Sequence, residues 1–194
     1  PSRHDGMGAF AIEGEPDKVR LVRNHEISAG HNDPGAFDNI PRDQVFPGMD
    51  RVYDTGADGM PLKGGTTTLV YNTRTKTLDS AHLSLAGTAT NCSGGVTPWG
   101  SWLTCEETYE LPGNQAGKAH GFVFEVPAAA PGLVAPIALT DMGRFKHEAA
   151  AIDPRTGIVY MTEDHEQGLV YRFLPNANGE LAKGGQLQAL ALMD

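Results

Sequence analysis

Acids and a thiol recur along this chain in a pattern able to hold metal ions. They are Asp5, Glu26, Cys92, Glu106, Glu107, Glu148, Glu163 and Asp164. Carboxylates crowded into one place repel one another unless cations neutralise them. Hard oxygen ligands suit calcium or magnesium. A thiolate is a poor calcium ligand and a good one for iron or zinc. A mixed site, with a transition metal beside calcium, is what this donor set suggests. Taken singly, each acid reads as a solvated strand end; the repetition is what points to metal.

The neighbours of these residues extend the chemistry. His4, His25, His147 and His165 each adjoin one of the acids and suit the role of orienting a ligand or touching an anionic substrate. Arg23 and Arg144 are the nearest cations for a phosphate. Cys92 starts a strand beside Ser93-Gly94-Gly95, a backbone able to come close to an ion. Cys105, beside Leu103, reads as core. The two cysteines are too few for a disulfide scaffold, and a bridge between them or two independent thiols fit equally.

The elements that must position these groups are short strands. Gly 24 and Pro 13 in 194 residues favour turns, and no stretch sustains a helical apolar period. In the last part of the chain, His147–Ile152, Ile158–Thr162, Gly168–Leu174 and Gln186–Leu192 read as four strands, the first two joined by the turn Asp153-Pro154-Arg155-Thr156-Gly157. The middle part repeats this plan with Asn91–Thr97, Ser101–Cys105, Gly121–Val126 and Pro136–Thr140. The opening part has Asp5–Ile12, Val19–Arg23, Thr66–Tyr71 and Thr77–Leu85, interrupted by a long polar loop over 27–63.

Each first strand begins with a ligand type (His4-Asp5, Asn91-Cys92, His147-Glu148) and each second strand ends on acid (Glu26, Glu106-Glu107, Glu163-Asp164). An antiparallel hairpin brings those two ends together. The expected fold is all-β, a β-propeller of four-stranded antiparallel blades, with units over about 4–88, 89–143 and 144–194 of one domain. Three blades do not close a ring, since propellers have about four to eight, so the chain reads as half of a six-bladed one. An open β-sheet protein with coincidental repeats is the bland alternative.

A net charge of −9, with no Lys/Arg cluster, argues against nucleic acid. No run approaches the roughly 20 apolar residues of a membrane helix, and no signal peptide stands at Pro1. The chain stops at Met193-Asp194, directly after a strand-like run, so both ends look cut and a longer parent is expected. Asp54-Thr55-Gly56-Ala57 has the form of an aspartic-protease signature without its apolar flanks. Continued to Asp58-Gly59, it has the form of a calcium loop with Gly65 where the bidentate Glu belongs. Both read as loop turns.

The stretch Asn91-Cys92-x-x-Gly95-x-Thr97-Pro98-Trp99-Gly100-x-x-Leu103-x-Cys105-Glu106-Glu107 closely resembles the hallmark of the PhoX-type alkaline phosphatases. His4-Asp5-Gly6-Met7, Arg23-Asn24-His25-Glu26, Gly143-Arg144-Phe145-x-His147-Glu148 and Tyr160-Met161-Thr162-Glu163-Asp164 extend the resemblance through nearly the whole chain. The resemblance implies a six-bladed propeller exported by the twin-arginine route to the periplasm or beyond, an iron and calcium cofactor, and hydrolysis of small phosphate esters. By position, Cys92 matches the iron-binding cysteine, and Glu107 (or Glu106), Glu148 and Asp164 fall at carboxylate positions, with Glu26 a further metal candidate. His165 stands where relatives are expected to carry Arg; with Arg144 it is a candidate for the catalytic contacts. The later ligands and the remaining half of the propeller lie outside this sequence, in the same polypeptide or a companion chain. A calcium-dependent lactone hydrolase and a non-catalytic propeller scaffold are the rival readings.

Overall fold

Strand β6 (Ser101–Glu106) is buried at every position, because it runs up the middle of the molecule with another sheet against each face. Its alternation sends Trp102 to one side, where Val22, Leu85, Phe122, Phe124 and Val126 surround it. Leu103 and Cys105 go to the other, into a core with Val159, Met161, Phe173 and Met142. The structure, a computed structural model, describes residues 2–37, 49–113 and 115–192.

Three antiparallel sheets make up the fold of the described residues. The first has β1 (His4–Ala11), β2 (Lys18–His25), β3 (Gly64–Asn72) and β4 (Thr77–Thr88) in chain order. The second has β5 (Asn91–Val96), β6 and β7 (Val123–Pro127), and the third β8 (His147–Ile152), β9 (Val159–Glu163), β10 (Val170–Pro175) and β11 (Gly185–Ala189). In each sheet the strands lie in chain order as an antiparallel meander. Strand β9 shows how the sequence specifies its faces: Val159 and Met161 are buried, Tyr160 and Thr162 exposed.

The first strands of the sheets, β1, β5 and β8, lie side by side, as inner strands of neighbouring propeller blades do. They touch through backbone. A Cβ on Gly6 would stand 2.7 Å from Ser93 Cα, and one on Gly95 would stand 2.3 Å from the Ala150 carbonyl oxygen. Only glycine permits that approach.

Each inner strand also carries a β-bulge at the same place. In the first sheet the pairing advances from His4↔His25 to Met7↔Arg23, three residues against two. It advances likewise from Asn91↔Glu106 to Gly94↔Thr104 and from His147↔Glu163 to Ala150↔Met161. The extra residue kinks the strand and re-aims the side chains at Asp5, Cys92 and Glu148.

Two expectations are corrected. Pro136–Thr140 is not a fourth strand of the middle sheet: Ala138 makes one isolated bridge to Phe124, and the chain then turns through a 3-10 segment, Thr140–Met142. Pro136 lacks the N–H that a ladder would need. Nor is the 27–63 segment a merely polar loop. Ala29 and Leu62 pack against Ala89, Phe37 and Val52 pack against Ala86, and Ile27 and Asp54 are buried as well. Positions 38–48 of that segment lie outside the described residues.

The inner-strand contact makes a direct prediction. Gly95→Ala should destabilise the protein by about 1–3 kcal/mol, the usual cost of overpacking, whereas Gly59→Ala, whose Cβ meets nothing, should lose only the smaller cost of a left-handed backbone. Urea unfolding of the two variants side by side checks the difference.

Candidate metal centre

The register places six side chains on the rim of the inner strands. Asp5, Cys92 and Glu148 occupy the three bulges. Glu26, Glu107 and Asp164 follow the paired ends of β2, β6 and β9, and their amides donate equivalent bonds across each hairpin. Glu26 N–H bonds the Arg3 carbonyl at 2.8 Å, Glu107 N–H that of Thr90 at 2.8 Å, and Asp164 N–H that of Lys146 at 3.0 Å. Two donors per blade converge because one backbone motif is used three times.

The tightest group among the described residues is Cys92, Glu107 and Glu148, whose ligand atoms lie within 4.8 Å of one another. The Cys92 thiol is buried and donates toward the carbonyl of Glu148 at 3.3 Å and its carboxylate Oε2 at 3.7 Å. Asp164 joins through a hydrogen bond to Glu107. Glu26 lies beside Asp5, with a hydrogen bond between the two carboxyls, and feels the charge of Glu148. Both cysteines are free thiols, which settles the question of a bridge.

The electrostatics of the group call for a cation. Burial, and then the charges of Glu148, Cys105 and Glu107, push the Cys92 thiol far above its ordinary range, with the Ser93 backbone opposing. Burial and the bond with Asp164 push Glu107 up to about 7, against the opposing effect of Lys146. Burial and Asp5 likewise raise Glu26. Lys146 Nζ stands 3.5 Å from Glu107 Oε1. One ammonium at that range does not balance a thiol and several acids. A soft donor between two carboxylates fits a transition metal, and the outer acids fit calcium.

Side chains that sequence reasoning passed over hold these donors in place. Asn24, fully buried, donates its amide to the carbonyls of Cys92 (3.0 Å) and Ser93 (2.9 Å) and accepts the Trp102 indole N–H at 2.9 Å. It locks the Cys92 bulge from the neighbouring sheet. Thr88 and Thr104 hold Asn91 in the same way, at 2.6 and 2.9 Å. No local signal marks Asn24 for this, because its partners are distant in sequence.

Other predicted site residues are placed elsewhere. Glu106 is not with the rim donors: alternation turns it to the opposite face from Glu107, where it accepts from Ala89 N, His120, Gly121 N and Phe122 N. Glu163 is turned away too and accepts from Leu169 N and the Tyr171 hydroxyl. The Arg144 guanidinium donates to the carbonyls of His120, Tyr109 and Glu110, so it fastens a loop. His165 is exposed, with Nδ1 accepting from Gln167 N–H at 3.1 Å. His25 and His147 are buried, and burial lowers each to about 4, so both are neutral near pH 7.

The raised Glu107 pKa has a consequence for the metal-free protein. An acid that binds its proton more tightly when folded adds stability at low pH, and that contribution fades as pH rises from the unfolded value near 4.5 to about 7. Glu107→Gln should therefore melt at a higher temperature than wild type at pH 8, with the gap closing toward pH 4. Thermal melts in chelator across that range test it.

The model of the family described as "Alkaline phosphatase PhoX" matches residues 48–194. Among solved structures, one similar to this chain is Pseudomonas fluorescens PhoX in complex with vanadate, a transition state analogue. It is 20% identical with a TM-score of 0.64, over 96% of this chain and 45% of that one. The chain thus spans less than half the length of that protein, and the likeness establishes the fold: an all-β propeller of which about three blades are present. No curated protein matches. With the family model covering most of its length, the chain belongs to the PhoX alkaline phosphatase family.

Proposed function

We propose that this chain carries the metal-binding half of a phosphoesterase that hydrolyses small phosphate monoesters. In this reading Cys92, Glu107 and Glu148 hold the ions, with iron at the thiol and calcium among the carboxylates. Asp164 and Glu26 are the further metal ligands of the rim. The observation that carries it is the convergence of one thiol and two carboxylates within 4.8 Å, from bulge and strand-end positions of successive sheets. Family membership and the vanadate bound by the P. fluorescens relative support a phosphate substrate.

When bound, such ions supply positive charge that draws phosphate oxygens and steadies the charge on the transferring phosphoryl group. The chain's own residues prepare for them. Asn24 holds the Cys92 backbone so that the thiol faces Glu148. Cys92 and Glu107 hold protons that a cation displaces, so uptake releases protons and strengthens as pH rises. Lys146 sits beside Glu107, where it restrains the carboxylate. In this reading His165, exposed next to Asp164, meets the substrate, while Arg144 acts through the loop that it ties down.

The rest of the propeller, from the same polypeptide or a companion chain, would supply the missing blades and the remaining phosphate contacts. Family membership supports an exported, periplasmic or extracellular protein, and no helix among the described residues is long and apolar enough to cross a membrane.

The test is elemental analysis of the complete protein beside Cys92→Ala, with hydrolysis of p-nitrophenyl phosphate measured on both. Iron together with calcium is expected in the wild type, with iron and hydrolysis lost in the variant. Calcium alone, unchanged by the substitution, overturns the iron–thiolate site and favours a hydrolase of the lactonase kind. Metal without hydrolysis favours a binding scaffold.

A further inference from the structure

We infer that Glu106, His120 and Asp54 form a buried positioning triad that holds Cys92 and Glu107 at metal-binding distance. The inference rests on the metal reading above and assigns residues that do not themselves touch the ion.

All three side chains are sealed from solvent, with Glu106 and His120 at 0% and Asp54 at 2% exposure. His120 lies between the two carboxylates, Nδ1 at 2.7 Å from Glu106 Oε1 and Nε2 at 2.9 Å from Asp54 Oδ2. With an acid on each nitrogen the ring donates from both and is the imidazolium. Burial works against that cation, but the hydrogen bonds and charges of Glu106 and Asp54 outweigh it. A fully buried network of this kind holds only as a unit, since removing one member leaves its hydrogen-bonding partners unsatisfied in the interior.

The unit ties the site to segments far along the chain. Glu106 Oε1 accepts from Ala89 N at 2.9 Å, and Oε2 from Gly121 N and Phe122 N at 2.8 and 3.1 Å. Ala89 precedes Thr90, whose carbonyl receives the Glu107 amide and whose own backbone is left-handed at φ 49°. Asn91 and Cys92 come next. One carboxylate therefore fixes the approach to the thiol, while its own strand end presents Glu107. At the outer end, Asp54 accepts from Gly56 N, Gly117 N and Lys118 N, closing the long insertion onto the β6–β7 connection. Tyr53 stands edge-on to the His120 ring and donates its hydroxyl to the Ala119 carbonyl.

The other blades use the same position in the same way. His25 and Glu163, which pair with the first strand where Glu106 does, also turn from the rim. His25 bonds Ser2 and Thr67, and Glu163 accepts from Leu169 and Tyr171. In each sheet, the residue before the rim acid anchors the strand that carries it.

The experiment compares Glu106→Gln and Asp54→Asn in the complete protein, with Asp153→Asn, a turn aspartate capping Arg155 and Thr156, as a stability control. The probe is cobalt(II) added to the metal-free protein, read through the charge-transfer band of its bond to the Cys92 thiolate, alongside melting temperature and amide exchange at Ala89 and Glu107. Both triad variants should bind cobalt about 10–100-fold more weakly, with faster exchange at those two amides. The control should lower the melting temperature alone. Triad variants that melt earlier yet keep the wild-type cobalt affinity overturn the inference and leave the metal reading standing. A wild type with no Cys92-dependent cobalt band sinks the metal reading first, and the triad's role with it. Should Glu106→Gln not fold, Asp54→Asn, two contacts removed from the site, decides the matter.

Discussion

Backbone contact between β1, β5 and β8 is the constraint on which the rest of the structure depends. Gly6 and Gly95 let these strands approach with no side chain between them. Side chains that would otherwise fill an axis are displaced to its end, where the three bulges lie level. A thiol and carboxylates from separate sheets then come within 4.8 Å because their strands do, each on an unexceptional hairpin. The cost is burial of acids beside like charges, visible in the raised pKa values of Glu26 and Glu107, for which burial is the larger cause and the neighbouring carboxyls the lesser. A bound cation would relieve it.

Around this crowded rim the protein surrounds its donors with bonds that leave them little freedom. Asn24 reaches from the first sheet to the Cys92 bulge, and Trp102 orients Asn24 in turn. Glu106 holds the strand on the other side of the thiol. These are buried polar groups with their partners supplied, which favours one arrangement over many. The strand alternation that separates Glu106 from Glu107 gives adjacent, chemically identical residues unlike surroundings. One is enclosed by N–H donors, and the other faces Lys146, Asp164 and the thiol.

The 27–63 segment shows where composition misleads. Its Gly, Asp and Asn content reads as solvent-facing loop, yet Phe37 and Val52 pack onto the first sheet, and Ile27 and Leu62 are buried too. Asp54, whose Asp-x-Gly pattern marks a tight turn, does make that turn at Gly56 N. It also reaches across to Gly117, Lys118 and His120. Periodicity cannot disclose such a role, since the partners are more than sixty residues away and share no pattern.

Most of the strands were legible from local chemistry alone. Alternation in Val159–Thr162, the turn residues at Asp153–Gly157 and the repeated ligand-then-acid order follow from short-range rules of pleat, turn and pairing, and these act within a hairpin. The same rules misjudged Pro136–Thr140, where an apolar run makes only one isolated bridge to β7. Strand alternation separates the two members of each acidic pair, whereas the aim of Asp5, Cys92 and Glu148 was settled by the bulges, one inserted residue per inner strand. The triad, the Asn24 lock and the buried insertion came only with the packing of sheets on one another. Burial and hydrogen-bond satisfaction belong to the three-dimensional neighbourhood, and residues distant in the chain become neighbours only when the sheets close together.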